Sequence, residues 1–410
     1  MQLNQIIRSK KDLLKHFGSS QKLEILDLKQ MYKLLGINVQ PEVWEDASKR
    51  NLFSFSQEFV QQTQVIRFYG SRIEYIYLVS FLTNLTELNL SENKILDISS
   101  ISKLKNLKKL NLSVNFIDDI SALSSLHDLT HLYLYQNKLT FYTLTLPNLV
   151  ELFLSGNKLQ DKSGLQHSPK LEKLILGVTK TVDLCNISQL LNLKSLILGD
   201  NNLTEISYLS NLLDLQILEL GGNKQLQNIG PLKFCSQLTD LRIFTTSISD
   251  IWPLQFMKNL NTLYMQETKV VDLHPLQNLY KLEFICAHDT CIIDVSPLSK
   301  LTQLKQISFS DNYITNADTL KHKNFSEQDF SDQQVPTTDE LKFYNKILKV
   351  HSSHKQIRII QYEKSVSKFR ASLASKKNYV SAMLNNQIMM MNKEVGMFMQ
   401  FVQNSNTYLD

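Results

Sequence analysis

Cys286, His288 and Asp289 are the residues of this chain whose types and spacing come nearest to a catalytic or metal-binding group. Cys286 and His288 are two residues apart, so on a β-strand their side chains point to the same face, and Cys291 follows nearby. A metal site needs three or four converging ligands, and the neighbouring sequence supplies no other well-placed histidine or cysteine. The pattern therefore favours structural roles for these residues.

The sequence motifs of common enzyme classes are missing from the chain. It contains no GxxxxGK[ST], GxGxxG, HExxH, GxSxG or paired CxxC, which are motifs of phosphate, dinucleotide, zinc, nucleophilic serine and metal or redox chemistry. We therefore expect a protein without enzymatic activity, cofactor or metal. Its function must then lie in the surface that its elements present to other molecules.

A content of 43% hydrophobic and 20% charged residues indicates a folded protein that is neither disordered nor membrane-like. No apolar run approaches the ~18 residues that span a bilayer, and the charged N-terminus shows no signal peptide. The four cysteines are too few and too irregularly spaced for a disulfide framework. These features predict a cytoplasmic protein with no transmembrane segment.

An internal repeat occupies residues 63–321. Leu85, Leu88, Leu90 and Asn93 form the pattern LxxLxLxxN, which returns every 22 residues apart from one step of 20 and one of 23. The later copies begin at Leu107, Leu129, Leu149, Leu171, Leu193, Leu215, Leu238, Leu260, Leu282 and Leu304. With a degenerate copy at residue 63, the array has about twelve repeats.

Alternation within each copy predicts a strand whose leucines face inward, as Leu88 and Leu90 do, while the residues between them face outward. One repeat cannot bury its leucines alone, so the copies should stack as parallel strands around a continuous core. Prolines such as Pro253 and Pro297 in the second half of the repeat suit short turns or 3₁₀ segments. The sequence thus predicts an α/β solenoid with Trp252 on its outer turns, where it is a weaker contact candidate.

A column of asparagines follows the strands at one position of the repeat, with threonine substituting in four copies. Its members are Asn93, Asn115, Asn137, Asn157, Asn201, Asn223 and Asn312, with Thr179, Thr246, Thr268 and Thr290 as substitutes. A buried asparagine amide donates and accepts hydrogen bonds, so it can satisfy loop backbone groups of adjacent repeats. Threonine has one donor, so we expect a weaker ladder in the C-terminal repeats.

Outward strand positions predict a binding face. The candidate partner-binding residues are Tyr133, Tyr135, Phe153, Ile175, Ile197, Phe244 and Tyr264. Four of them come from consecutive repeats and should form one apolar strip, beside a shallow trough at Gly177, Gly199 and Gly221. Such a patch usually marks an interaction site, although strand propensity or cover by the chain's own flanks would also account for it.

The flanks lack the repeat. Residues 1–62 contain helical stretches and are expected to cap the N-terminal end of the core. Residues 322–336 are polar and are predicted to be a linker, and residues 337–410 to be a basic amphipathic helical tail. Residues 341–378 carry ten Lys or Arg against one acid, so this segment holds the basic charge of a chain whose net charge is +5.

Three roles remain open for the C-terminal tail. Its two apolar stretches at helical spacing suit a cap on the last repeat. They also suit self-association or coiled-coil pairing with a partner helix, although each stretch is shorter than the usual heptad run. Contact with nucleic acid or anionic lipid is the least favoured role.

The form LxxLxLxxNxIxxIxxLxxLxxL, with variants such as DIWPL, resembles the leucine-rich-repeat superfamily over residues 63–325. Its short-repeat class includes the regulatory subunit of type-one protein phosphatase and the bacterial internalins, and the resemblance implies partner binding on the concave strand face. Only the scaffold motif matches, so no phosphatase-contacting residue carries over. We expect a protein-binding scaffold that regulates a phosphatase or kinase, or alternatively a surface-associated adhesive protein of internalin type.

Overall fold

The computed structural model describes residues 64–334 except 71, 77, 78, 81, 181–184, 322 and 324. The expected cap over residues 1–62 and the expected helical tail over 337–410 lie outside the described residues. No helix in the described part of the chain is long and apolar enough to cross a bilayer.

Thirteen three-residue strands form one parallel sheet in which spatial order follows sequence order. They are β1 (Val65–Arg67), β2 (Glu87–Asn89), β3 (Lys109–Asn111), β4 (His131–Tyr133), β5 (Glu151–Phe153), β6 (Lys173–Ile175), β7 (Ser195–Ile197), β8 (Ile217–Glu219), β9 (Asp240–Arg242), β10 (Thr262–Tyr264), β11 (Phe284–Cys286), β12 (Gln306–Ser308) and β13 (Glu327–Asp329). The predicted parallel-strand solenoid is confirmed.

The repeat fixes the register of the sheet. Leu88 pairs with Leu110, which pairs with Leu132, so equivalent positions of successive repeats lie side by side. These central leucines are fully buried, while both flanking residues of each strand are at least partly exposed. Side chains of a strand alternate between faces, so the leucine or isoleucine at the centre of strands β1 to β12 points into the core.

Ten short 3₁₀ helices cover the outer side in the described residues. They are Ser99–Lys103, Ser121–Ser125, Ser163–His167, Cys185–Gln189, Ser207–Asn211, Gly230–Phe234, Trp252–Phe256, His274–Leu276, Ser296–Leu298 and Ala317–Leu320. An Asp often precedes the turn and accepts the backbone N–H two residues later, as Asp250 does from Trp252 at 2.9 Å. This capping and the prolines at the first turn explain why the outer side is 3₁₀, as predicted.

The asparagine column forms the expected ladder. The Asn115 amide nitrogen donates to the Leu90 carbonyl of the preceding repeat and to the Leu112 carbonyl of its own repeat, both at 3.0 Å. Its Oδ1 accepts from the Ile95 N–H at 3.0 Å. Thr268 replaces this set with one described bond, to the Met265 carbonyl at 2.7 Å. Thr179 and Thr290 keep a cross-repeat bond by donating to the asparagines of the following repeats, so the ladder is weaker at Thr268 and not at every threonine.

The sheet continues past residue 321, where the sequence pattern predicted the array to end. β13 pairs with β12, and the Phe330 ring stacks on Phe309 with centroids 5.9 Å apart. Gln333 takes the ladder position, since its amide nitrogen donates to the Phe309 carbonyl at 2.7 Å and its Oε1 accepts from Ile314 N–H at 2.9 Å. The linker predicted over residues 322–336 is therefore wrong for residues 325–334, which form a thirteenth repeat.

The 20-residue step produces one irregular repeat between β4 and β5. No 3₁₀ helix is described there, and Phe141 instead forms an isolated parallel bridge with Asp161. Tyr142 is fully buried and fills the core at this point. Gly164 in the next repeat packs against the Leu144 backbone, where an added Cβ would lie 2.7 Å from the Leu144 nitrogen.

Candidate binding face

The apolar strip is contiguous in the structure. Tyr133 pairs with Phe153, Phe153 with Ile175, and Ile175 with Ile197 across strands β4 to β7. All four side chains are half-buried and point away from the leucine core. Tyr135 lies on the same face, two residues beyond Tyr133, and is also half-buried. The register therefore brings together the five central candidates.

Tyr133 and Phe153 form the aromatic end of the strip. Their ring centroids are 4.7 Å apart in an edge-to-face arrangement at 71°. The Tyr133 hydroxyl donates a 2.8 Å hydrogen bond to Glu151 Oε2. Burial, reinforced by this bond and the nearby negative charge, raises the pKa of Tyr133, so the hydroxyl remains protonated. The ring pair is thus held in one orientation before any partner arrives.

A lysine and a histidine border the aromatic pair. The Lys173 ammonium lies 5.0 Å from the centroid of the Phe153 ring, within the range of a cation–π interaction. The His131 ring lies 6.5 Å from the Tyr133 ring, and burial lowers the pKa of His131. An apolar centre with a polar border matches the usual anatomy of a protein interface.

A second aromatic cluster lies further along the same face. The Tyr264 ring is 4.8 Å from the Phe284 ring, and the Arg242 guanidinium lies 5.2 Å from the Tyr264 centroid. Arg242 also pairs with Asp240 at 3.0 Å and with Glu219 at 3.6 Å. Sequence reasoning found Tyr264 but missed Phe284, which occupies the first outward position of its strand.

The expected glycine trough is shorter than predicted. A Cβ at Gly221 would overlap the Phe244 ring, and a Cβ at Gly199 would lie 2.8 Å from the Glu219 carboxylate. Of the three glycines, Gly177 has the most open space above it, since a Cβ added there would lie 3.3 Å from its nearest neighbour, the Gly199 carbonyl oxygen. The Phe244 ring therefore covers the trough at Gly221.

The candidate Cys286, His288 and Asp289 group does not assemble as a reactive site. Burial raises the pKa of the Cys286 thiol, which disfavours the nucleophilic thiolate. Asp289 lies beyond the strand at a turn with φ 50°. The described residues contain no group of three or more His, Cys, Asp or Glu that could hold a metal ion.

Trp252 lies on the outer side, as predicted. It begins the 3₁₀ helix Trp252–Phe256, and its ring meets Phe256 edge-on at 5.8 Å. It is half-buried and belongs to a different surface from the strip. Trp252 therefore does not extend the candidate binding face.

Comparison with known proteins agrees with this geometry. A family model described as Leucine Rich repeats (2 copies) matches residues 83–125 and 105–146. The fold is a leucine-rich-repeat solenoid. No curated protein matches the chain in sequence.

Solved leucine-rich-repeat structures share the architecture. An internalin (InlF) from Listeria monocytogenes is 28% identical with a TM-score of 0.66, over 72% of this chain and 89% of its own. A leucine-rich-repeat protein of Leptospira interrogans is 24% identical with a TM-score of 0.63, over 70% and 78%. The plant peptide hormone receptor RGFR1, solved in complex with RGF2, is 19% identical with a TM-score of 0.50, over 65% and 52%. The last two likenesses concern the fold alone.

Proposed function

We propose that this leucine-rich-repeat solenoid is a protein-binding scaffold and that the apolar strip from Tyr133 to Ile197 anchors the partner. The observation that carries the proposal is the strand register, which places four apolar residues of four adjacent strands side by side. Such a contiguous patch on an exposed sheet face is typical of an interaction site, and aromatic anchors often dominate binding energy. The complex of the plant receptor with RGF2 supports a binding role for this architecture.

The chemistry of the surface supports binding rather than turnover. The thiol on the face is protonated, and the nearby histidine belongs to no described metal-binding group. Carboxylates such as Glu151 and Asp240 are engaged by Tyr133 and Arg242. We therefore propose a scaffold without catalytic activity.

Charge along the face indicates the chemistry of the partner. On the outward strand positions and the turn position after them, residues 64–178 carry three acids and three bases. The same positions in residues 195–332 carry one base, Arg242, and nine acids: Asp200, Glu219, Asp240, Glu267, Asp289, Asp311, Glu327, Asp329 and Asp332. We infer that the partner presents an apolar group to the strip and basic groups to the C-terminal half, since complementary charge directs association.

The test is partner capture by the intact chain carrying Tyr133→Ala and Phe153→Ala. Loss of both rings should weaken capture at least about tenfold, because buried aromatic anchors commonly contribute about 2 kcal/mol or more. Phe141→Ala is the control, since Phe141 is a 55% exposed aromatic residue outside the strip. Circular dichroism must confirm that all variants are folded. Unchanged yield of the same partners with the double variant removes this face as the binding site.

A second candidate function is adhesion of internalin type. It is favoured by the likeness to the Listeria internalin, which spans 89% of that protein's chain. An adhesive protein acts at the cell surface, whereas the scaffold, with phosphatase or kinase regulation as its specific role, acts in the cytoplasm. Cell fractionation separates the two: recovery in the cytoplasmic fraction supports the scaffold, and protease-accessible surface protein supports adhesion.

Self-association is a further proposal about partners, and it concerns residues 337–410, outside the described part of the chain. Apolar positions at helical spacing in this segment are its only support. Light scattering of the full chain over a range of concentrations tests it. A molar mass that equals one chain at every concentration contradicts it.

A further inference from the structure

A polar cleft lies on the side of the solenoid where the chain enters strands β8 to β12, away from the apolar strip. Its volume is about 660 Å³, within the range of small-molecule sites. Its lining consists of Gln216, Gln237, Thr239, Asn259, Asn261, Lys281, Glu283 and Gln303. We call this the flank cleft. Five of its eight residues are amides, and all eight are polar.

Side chains of three successive repeats form an ordered relay along one wall of the flank cleft. The Lys281 ammonium donates to Asn259 Oδ1 at 2.8 Å, and the Asn259 amide nitrogen donates to Gln237 Oε1 at 3.3 Å. The Gln237 amide nitrogen ends the relay, and no described residue accepts a hydrogen bond from it. This wall therefore presents amide groups that hydrogen bonds link from one repeat to the next.

Charge is balanced inside the flank cleft. Of its lining residues, only Lys281 and Glu283 are charged, and Glu283 is already paired with Lys305 at 2.8 Å. This pair lowers the pKa of Glu283, which therefore stays ionised as an acceptor. Earlier on the same flank, Lys194 pairs with Glu172 at 2.8 Å. The five amides therefore share the flank cleft with one side chain of each charge.

We propose that the flank cleft binds a neutral oligosaccharide. Adjacent sugar hydroxyls both donate and accept, so they match amides, which carry donors and acceptors on one planar group. A protein partner would need apolar or aromatic anchors, which this lining lacks, and an anion would meet the Glu283 carboxylate.

Titration of the full chain with neutral trisaccharides tests this inference. The probes are maltotriose, cellotriose and N,N′,N″-triacetylchitotriose, and saturation-transfer NMR and calorimetry measure their binding. We expect saturable binding of at least one probe at roughly millimolar or lower concentration. Asn259→Ala and, separately, Gln303→Ala should weaken that binding at least about fivefold, which corresponds to roughly 1 kcal/mol.

Asn106→Ala is the matched control. Asn106 occupies the equivalent position of an earlier repeat and donates to the Thr83 carbonyl at 3.0 Å, so its loss removes a similar bond outside the cleft. Thermal unfolding verifies that each variant is folded. Absence of binding by all three probes overturns the inference, as does binding that Asn259→Ala and Gln303→Ala leave unchanged. The strip variants at Tyr133 and Phe153 should bind the sugar normally, so this inference and the scaffold proposal fail independently.

Discussion

The Phe244 ring covers Gly221 so closely that a Cβ atom added at Gly221 would overlap three of its ring carbons. Phe244 follows β9 and Gly221 follows β8, so the contact joins equivalent positions of adjacent repeats. A glycine is required here for close approach, since its φ is not in the left-handed region. This contact closes one end of the trough beside the apolar strip.

Gly221→Ala should therefore displace the Phe244 ring and lower stability by about 1–3 kcal/mol, the range for overpacked sites. In the background of Phe244→Ala the same substitution should cost little, because the overlapping ring is gone. Denaturant unfolding of the two single variants and the double variant measures the coupling. Additive effects would contradict the contact.

Asn157→Ala should lower stability by about 1–3 kcal/mol, because it leaves buried backbone groups unpaired. Asn157 is fully buried, donates to the Leu134 and Leu154 carbonyls at 2.9 Å, and accepts from Leu139 N–H at 3.0 Å. Lys158→Ala, at the exposed next residue, should change stability by less than about 0.5 kcal/mol. Equal denaturant midpoints for the two variants would argue against the ladder as a source of stability.

The solenoid could be predicted from the sequence because leucine and asparagine recur at a fixed spacing, and stacked repeats are the arrangement that buries both. The prediction failed at the last repeat, where Phe325 and Phe330 replace leucines and Gln333 replaces asparagine. The sequence motif is defined by leucine and asparagine, whereas the fold requires only an apolar side chain and a side-chain amide at these positions. Repeat spacing also predicted the strip, but it could not predict that Phe244 leans over Gly221, because side-chain direction along the sheet axis depends on neighbouring repeats.

Glu219 should give the stability a dependence on pH. Burial raises its pKa, Arg242 opposes this, and Asp200 and Asp240 add to it. A carboxyl group whose pKa is higher in the folded than in the unfolded state stabilises the fold at pH values below its unfolded pKa. This stabilisation is lost as the pH rises through the folded-state pKa. Glu219→Gln cannot titrate, so its stability relative to the natural protein should increase between about pH 4 and about pH 7. A constant difference across that range contradicts the shift.

Thiol labelling should distinguish two of the cysteines. Cys185 is exposed, whereas Cys235 is fully buried and burial raises its pKa to about 12. A thiol reagent at neutral pH should modify Cys185 rapidly and Cys235 only when its repeat opens, because the reagent needs an accessible thiolate. Mass spectrometry of labelled peptides follows both sites. Comparable rates at the two sites in the native protein would contradict the burial of Cys235.

Association with a partner should depend on salt if the acidic half of the face directs it. Asp289→Asn with Asp311→Asn removes two exposed carboxylates from consecutive turns and should slow association, with a smaller effect at high ionic strength. Glu92→Gln, at the equivalent turn of an N-terminal repeat, is the control. Surface plasmon resonance with a captured partner measures the rates. Equal rates for both variants at low salt would show that this half does not contribute.

The irregular repeat around Tyr142 divides the stack of outer turns, because no 3₁₀ helix is described between Ser121–Ser125 and Ser163–His167. A solenoid holds together through contacts between nearest neighbours, so loss of structure spreads from repeat to repeat. Here the sheet and core continue, and the bridge between Phe141 and Asp161 joins the outer sides of the two repeats in place of stacked 3₁₀ helices. Because the outer contacts change in kind at this position, it is where we expect the array to divide if heating unfolds it in two steps.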